Sequence, residues 1–161
     1  MINWIKFFII FLFTLTLVLT SFVFYKAYEP ASSLKGNATR QVVDAGILVE
    51  AERAEVYNGT ASFTVVYGKD DKGVAKAVFV NEKVKNEKDL KVVVLEKGIT
   101  AKQALTSVKQ EMNVNKLIHV KLGVEDDAAV WEVVFKNEAN KLNYVYVAFS
   151  DGQWQKRILN L

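Results

Sequence analysis

Residues 98–124, GITAKQALTSVKQEMNVNKLIHVKLGV, contain the pattern that decides the fold. Thr100 followed three residues later by Gln103 is the capping-box signature of a helix start. Apolar residues then recur at helical spacing, at Ala101, Ala104, Leu105, Val108 and Met112. From Ile118 onward, apolar residues alternate instead with polar residues or glycine, which is typical of a strand with one buried face. This order predicts an α+β unit in which a helix covers a sheet.

Three more strands are predicted after residue 124. Residues 130–135 and 142–148 have strand patterns, and residues 153–159 form a final strand. The pair Asp151-Gly152 predicts a two-residue hairpin, because both positions of such a turn must tolerate positive φ. The unit therefore consists of one helix on a small antiparallel sheet.

An earlier segment predicts the same order of elements. Ser33 can cap a helix that Gly46 ends. Asn58-Gly59 predicts a type I′ hairpin. Strands are predicted at 47–57, 60–67 and 74–80, and a further strand at 91–95 leads into the second helix. Asp70 and Asp71 belong to a turn between two of these strands.

The two segments align with a period of 68 residues. Residues 63–67 (FTVVY) align with residues 131–135 (WEVVF), and Val56 aligns with Val124. The shared order of elements predicts a duplication. We expect a first unit over 30–90, which includes a charged connector at 81–90, and a second unit over 91–161.

The amino-terminal segment predicts a membrane anchor. Residues 7–25 contain no charged residue, and at about 1.5 Å per residue a helix of this length covers roughly 28 Å, close to the thickness of a bilayer core. A cleavable signal peptide is the alternative. The apolar core is long for a signal peptide, and no small-x-small pair follows it. We expect residues 1–29 to form a cytoplasmic head, an uncleaved anchor and the start of a tether that continues to residue 36 and contains Pro30. The flanking charges do not decide which side holds the body.

Composition argues against several classes of function. The chain has no cysteine, which excludes a disulfide scaffold, a zinc finger and a thiol nucleophile. Its one histidine, His119, is expected on the strand face away from the helix, beside Lys121, with no catalytic partner indicated locally. No nucleotide-binding or hydrolase motif occurs in a usable context, so no enzyme, catalytic residue or cofactor is expected. The net charge is only +3, and lysines interleave with acidic residues, so we expect no nucleic-acid partner.

Two groups of residues are candidates for contacts with a partner. The first group lies in predicted turns, where acidic residues are common without binding a metal. The second group belongs to an aromatic-rich sheet, most of which we expect under the helix, with one face less covered. The candidate contacts are Asn58, Gly59, Glu125, Asp126, Asp127, Trp131, Phe149 and Trp154.

The anchor is followed by the motifs YNG, VVYGKDDKG, GITAKQALTSVK, VKLGVEDDAAVWEVVFK and YVYVAFSDGQW. In these motifs the chain resembles the YpmB/TseB-like proteins of Gram-positive bacteria, and the resemblance covers essentially the whole chain. It implies two tandem cystatin-like, PepSY-like units outside the cytoplasm on a single-pass anchor in the cell membrane. It offers no catalytic residues.

By resemblance, the expected function is a non-enzymatic, membrane-anchored extracytoplasmic interaction module that regulates cell-wall elongation by binding a penicillin-binding protein of the peptidoglycan machinery. Two alternatives remain open. A peptidase-inhibitor-like PepSY module would slow a surface protease, although fold analogy alone is a weak argument. A small-ligand or lipid-binding module would require an apolar pocket.

Overall fold

The fold is that of a computed structural model, which describes residues 2–81 and 90–161, and within them all side chains except those of residues 2 and 29–31. It is an α+β fold with a long helix, two four-stranded sheets and a second helix. Sheet A contains β1 (Glu50–Asn58), β2 (Ser62–Lys69), β3 (Ala75–Val80) and β4 (Lys91–Val94). Sheet B contains β5 (Lys116–Glu125), β6 (Ala128–Lys136), β7 (Leu142–Ala148) and β8 (Trp154–Ile158). In both sheets the strands are antiparallel and neighbours in chain order.

The first helix, α1 (Ile2–Asp44), is a single element. It includes the apolar segment, the tether predicted over residues 26–36 and the helix predicted from Ser33. The tether was predicted from Pro30, because a proline weakens a helix locally. Packing of Ala38 and Val42 on sheet A stabilises the helix beyond this point. The unit limits at residues 29 and 90 stay predictions.

The end of α1 follows the prediction. Gly46 has φ 67°. The Gly46 N–H donates to the Val43 carbonyl at 2.9 Å, and the Ile47 N–H donates to the Val42 carbonyl at 3.2 Å. A glycine with positive φ that closes the last turn of a helix in this way is a common helix stop.

The second helix, α2 (Ala101–Glu111), begins with the predicted capping box. The Gln103 N–H donates to Thr100 Oγ1 at 3.3 Å, and the Thr100 N–H donates to Gln103 Oε1 at 2.8 Å. Ala104 and Val108 form its buried face. A short 3-10 turn (Leu95–Lys97) joins β4 to this helix.

The two units have the same order of elements, a helix followed by four strands. The period predicted from the sequence is one residue too long. α1 packs on the face of sheet A that carries Val66 and Val78. α2 lies on the face of sheet B that carries Val133 and Val145, which belong to the same core as Ala104 and Val108. Val66 therefore corresponds to Val133, one residue short of the 68-residue alignment. Because strand side chains alternate between faces, the sequence alignment matched the right strands but opposite faces.

The two units share one hydrophobic core. The face of sheet A opposite α1 carries Tyr57, Val65, Tyr67 and Phe79, and these belong to the same buried cluster as sheet B and α2. Strand β5 of sheet B contacts β1 and β2 of sheet A. Burying a large apolar side chain contributes roughly 1.5–3 kcal/mol. The units are therefore packed into one body.

The hairpin turns differ from the sequence expectation. Asn58 and Gly59 do not have positive φ, so they do not form the predicted type I′ turn. Instead, Asp126 (φ 45°) and Asp127 (φ 59°) form the two-residue turn between β5 and β6. At Asp151-Gly152 only the glycine has positive φ, at 79°. The turn at Asp70 and Asp71 is confirmed.

Candidate interaction site at one end of the body

Three strand turns lie at the end of the body where α1 enters it, which we call the proximal end. These are residues 59–61, residues 126–127 and residues 149–153. Asn58 and Ser62 line a small cavity of about 120 Å³ together with Leu34 of α1, which places the first turn beside the helix. The Phe149 N–H donates to the Ala129 carbonyl at 2.9 Å, which places the third turn beside the second.

Glu125 joins the first turn to the second. Its Oε1 accepts hydrogen bonds from the Tyr57 hydroxyl at 2.6 Å and from the Thr60 N–H at 3.0 Å. Its Oε2 accepts from the Thr60 hydroxyl. The Glu125 residue is only 6% exposed, so this carboxylate is a buried acceptor, and both of its oxygens accept hydrogen bonds from the other unit.

Gly59 is required by the closeness of this contact. A Cβ atom at this position would lie 1.9 Å from Glu125 Oε1 and 2.4 Å from the Tyr57 hydroxyl oxygen. Gly123 is similar, because a Cβ there would lie 2.3 Å from two atoms of the Tyr57 ring. The two glycines let the turn of one unit lie directly against a strand of the other.

The contact changes the acidity of both partners. Burial raises the pKa of Glu125, but hydrogen bonds from Thr60 and Tyr57, together with the nearby Lys156 charge, outweigh burial and lower the pKa below its ordinary value. Burial and the bond to Glu125 raise the pKa of the Tyr57 hydroxyl far above its ordinary value. The pair is therefore an ionised carboxylate and a neutral phenol at neutral pH.

Two lysines add further contacts between the two sheets near Glu125. Lys121 Nζ donates to the Val56 carbonyl of β1 at 3.1 Å, and so bridges the two units a second time. Lys91 Nζ donates to the Asp127 carbonyl, which ties the end of β4 to the turn between β5 and β6. The proximal end is thus held by polar contacts as well as by the shared core.

A polar network continues along the face of sheet B that lies away from α2. His119 Nε2 lies 2.9 Å from Glu132 Oε1, and the Glu132 side chain is only 7% exposed. Burial, followed by the charge of Glu132 and a hydrogen bond to it, raises the pKa of the Tyr146 hydroxyl. Lys156 Nζ lies 5.7 Å from the centre of the Tyr146 ring. The sequence prediction that His119 lies beside Lys121 on this face is confirmed.

Four of the predicted contact residues are exposed at the proximal end. Asn58 and Gly59 lie at the first turn, and Asp126 and Asp127 form the second. The structure therefore brings two separately predicted turns together. Whether a partner binds them stays a prediction.

The other four predicted contact residues face inwards to different degrees. Glu125, Trp131 and Phe149 are each 6% exposed, and Trp154 is half-buried. Trp131 Nε1 donates to the Ile99 carbonyl at 2.8 Å, and Trp154 Nε1 donates to Ser107 Oγ at 2.9 Å, so both rings are held against the α2 side. Their geometry favours a packing role, and a direct partner contact through them stays a prediction.

Sequence reasoning missed the residues that join the units. Tyr57 and Thr60 were not singled out, and Lys121 was named only as a neighbour of His119, because their partners lie in the other unit and no local pattern pairs them. Glu132 was missed as the partner of His119 because the pairing register of β5 with β6 does not follow from the pattern of either strand alone. Gly59 was a usable signal for a close contact between the units, but it was interpreted as a requirement of a hairpin turn.

The apolar part of α1 is not covered by the rest of the structure. Within residues 3–44, an 18-residue window has a mean hydropathy of 2.6, and none of it is buried. Two threonines in this part, Thr14 and Thr16, donate to the carbonyls of Ile10 and Leu12 at 2.8 Å, which satisfies their hydroxyls within the helix. By length and composition this helix can cross a membrane.

Comparisons with known proteins place this architecture. Residues 37–81 match the family model described as "Cell wall elongation regulator TseB-like domain". "Probable cell wall elongation regulator TseB" of Bacillus subtilis (strain 168) is 30% identical over 115 residues, which are 69% of this chain and 68% of that protein. The chain belongs to the TseB-like family of cell wall elongation regulators.

A comparison with solved structures agrees. "YpmB protein from Bacillus subtilis" matches with a TM-score of 0.63 and 28% identity, over 70% of this chain and 86% of that chain. The resemblance noted in the sequence is thereby confirmed, and so is the α+β fold of two helix-on-sheet units.

Proposed function

We propose that this chain is a single-pass membrane protein whose body lies outside the cytoplasm and regulates cell-wall elongation by binding a penicillin-binding protein, without catalysing a reaction. The observation that carries this proposal is the continuity of α1 from its apolar part into the core of sheet A. A body joined in this way presents one end, the proximal end, to the membrane surface. Family membership supports the regulatory role.

Anchoring explains how a modest contact surface suffices. A partner embedded in the same membrane meets the body at an effective concentration that two freely diffusing proteins do not reach. The exposed turn residues Asn58, Asp126 and Asp127 lie at the proximal end, where a membrane-anchored enzyme is closest. The contacts of Glu125 with Tyr57 and Thr60 hold these turns in place before binding, which reduces the entropy lost on association.

The orientation is testable because the chain has no cysteine of its own. Ser150→Cys, exposed in the third proximal turn, is expected to react with a membrane-impermeant maleimide in intact cells. Asn3→Cys, at the other end of the apolar segment, is expected to react only after permeabilisation. The reverse pattern would contradict an extracytoplasmic body, and loss of the amino-terminal segment from the mature chain would contradict the anchor.

The partner is testable by photo-crosslinking from the proximal end. A benzophenone amino acid at Asp127 is expected to yield a crosslinked product that also binds fluorescent penicillin. The matched control is the same amino acid at Lys72, which is exposed in the turn between β2 and β3 at the opposite end of the body. Absence of a penicillin-binding product from Asp127, or equal products from both positions, would reject this partner and this surface.

A further inference from the structure

Strand β8 leaves one edge of sheet B open. The strand order of the sheet is β5-β6-β7-β8, and in the part of the chain that the structure describes β8 pairs with β7 alone. In an antiparallel pair, part of each strand's N–H and C=O groups points away from the neighbouring strand. An open edge of this kind is a template for an additional strand.

A groove runs along this edge. A cavity of about 620 Å³ lies between α2 and β8, lined by Ser107 and Glu111 of α2 and by residues 152–157. This volume lies in the range of roughly 300–1,000 Å³ that is typical of ligand clefts. The groove therefore has space for side chains of a segment that pairs with β8.

One wall of the groove contains Trp154, whose side chain is held in place by a hydrogen bond. Trp154 Nε1 donates to Ser107 Oγ at 2.9 Å, which holds the indole against α2. The Arg157 guanidinium lies 5.5 Å from the centre of the Trp154 ring. A guanidinium near a ring in this way keeps its planar set of N–H donors available for a carboxylate.

The charged side chains of β8 favour an acidic segment over a second copy of this chain as the binding partner. Lys156 and Arg157 are exposed on β8, and among the described residues neither forms a salt bridge. A second copy of this chain pairing through β8 would bring like charges together, which is unfavourable. An acidic segment would instead find Arg157 on the α2 side of β8, against the single acidic side chain of Glu111, and Lys156 on the opposite face of the strand, beside the Tyr146 ring.

We propose that the β8 edge binds an extended, acidic segment of a protein partner, which adds to sheet B as a fifth strand and places a carboxylate on Arg157. The backbone supplies the pairing, and the guanidinium supplies the preference for acid. The groove begins at residues 152 and 153, which also belong to the third proximal turn, and continues along β8 away from the other two turns. Its binding is measurable on purified protein whether or not the cell-wall role holds.

The test uses the full chain in phosphatidylcholine nanodiscs and a fluorescein-labelled peptide, Thr-Val-Glu-Val-Glu-Val-Thr, followed by fluorescence anisotropy. We expect saturable binding, lost when alternate peptide nitrogens are methylated, because methylation removes the donors that pair with β8. We expect Arg157→Glu to weaken binding by about tenfold or more. The control Lys102→Glu makes the same charge change on the exposed side of α2, outside the groove, and should leave binding near its original strength.

Three results would overturn the proposal. One is no binding at about 1 mM peptide, which corresponds to only about 4 kcal/mol of affinity. Another is equal binding of the methylated peptide, which would show that β8 does not pair with it. The third is equal weakening by Arg157→Glu and Lys102→Glu, which would show attraction to overall charge rather than to this edge.

Discussion

Glu125 and Gly59 are the residues on which the contact between the two units depends most directly. The carboxylate accepts hydrogen bonds from Tyr57 and Thr60, and the missing side chain of Gly59 leaves room for it. Hydrogen bonds to a charged group are worth more than neutral ones, roughly 1.5–3 kcal/mol each in net terms. Two predictions belong to this scale.

Gly59→Ala is expected to destabilise the body by about 1–3 kcal/mol, because the new methyl group would overlap Glu125 Oε1 and the Tyr57 hydroxyl. Urea unfolding in detergent, followed by tryptophan fluorescence, measures this loss. The control is Gly36→Ala in α1, where no atom lies within 4 Å of the new Cβ and alanine favours the helix. Equal stability of Gly59→Ala and the parent chain would contradict the close contact.

The stability of the parent chain is expected to fall more steeply in acid than that of Glu125→Gln. Because the folded pKa of Glu125 lies below its unfolded value, this carboxylate stabilises the fold above the unfolded pKa of about 4.3 and loses that contribution as the pH falls through the folded pKa. Denaturant midpoints measured between about pH 7 and pH 3 test the slope. Parallel pH profiles of the two proteins would show that Glu125 is not held as an ionised acceptor.

At the scale of the elements, α2 is positioned by its start as well as by its buried face. The reciprocal bonds of Thr100 and Gln103 satisfy two N–H groups that the first turn of a helix leaves free. Ala104 and Val108 then meet sheet B, and the tryptophans Trp131 and Trp154 bond to residues at or before this helix.

Thr100→Ala is expected to lower the free energy of unfolding by about 1 kcal/mol, the usual cost of removing a helix cap. The matched control is Thr106→Ala in the middle of α2, where the hydroxyl donates only to the Lys102 carbonyl and alanine is the better helix former. We expect the control to be neutral or slightly stabilising in the same urea titration. Similar losses in both variants would contradict a specific capping role.

Local patterns explain why some elements could be predicted from sequence and others could not. The capping box at Thr100 and the helix stop at Gly46 depend on residues a few positions apart, and both were predicted. The turn at Asn58-Gly59 was assigned the wrong type, because Gly59 is required by a contact with the other unit rather than by its own φ. The repeat was found, but its register was not, since a one-residue slip leaves strand patterns intact and exchanges their faces.

At the scale of the whole molecule, sequence patterns indicated two units but not how they are joined. Tyr57, Val65 and Phe79 of sheet A belong to the same core as sheet B, and Lys121 bonds to the β1 backbone. Such contacts between residues far apart in sequence leave no periodic signal. Their consequence is that the proximal turns of both units are presented together, on a helix that continues from the apolar segment.

The central claim, that the two units are packed into one body, is tested most directly by a spin-label distance between them. The label sites are Lys72→Cys in sheet A's exposed turn and Lys102→Cys on the exposed side of α2, in the full chain held in nanodiscs. We expect one narrow distance distribution, which broadens when Gly59→Ala is added. A broad distribution in the unmodified background, typical of two units on a flexible connector, would contradict the account.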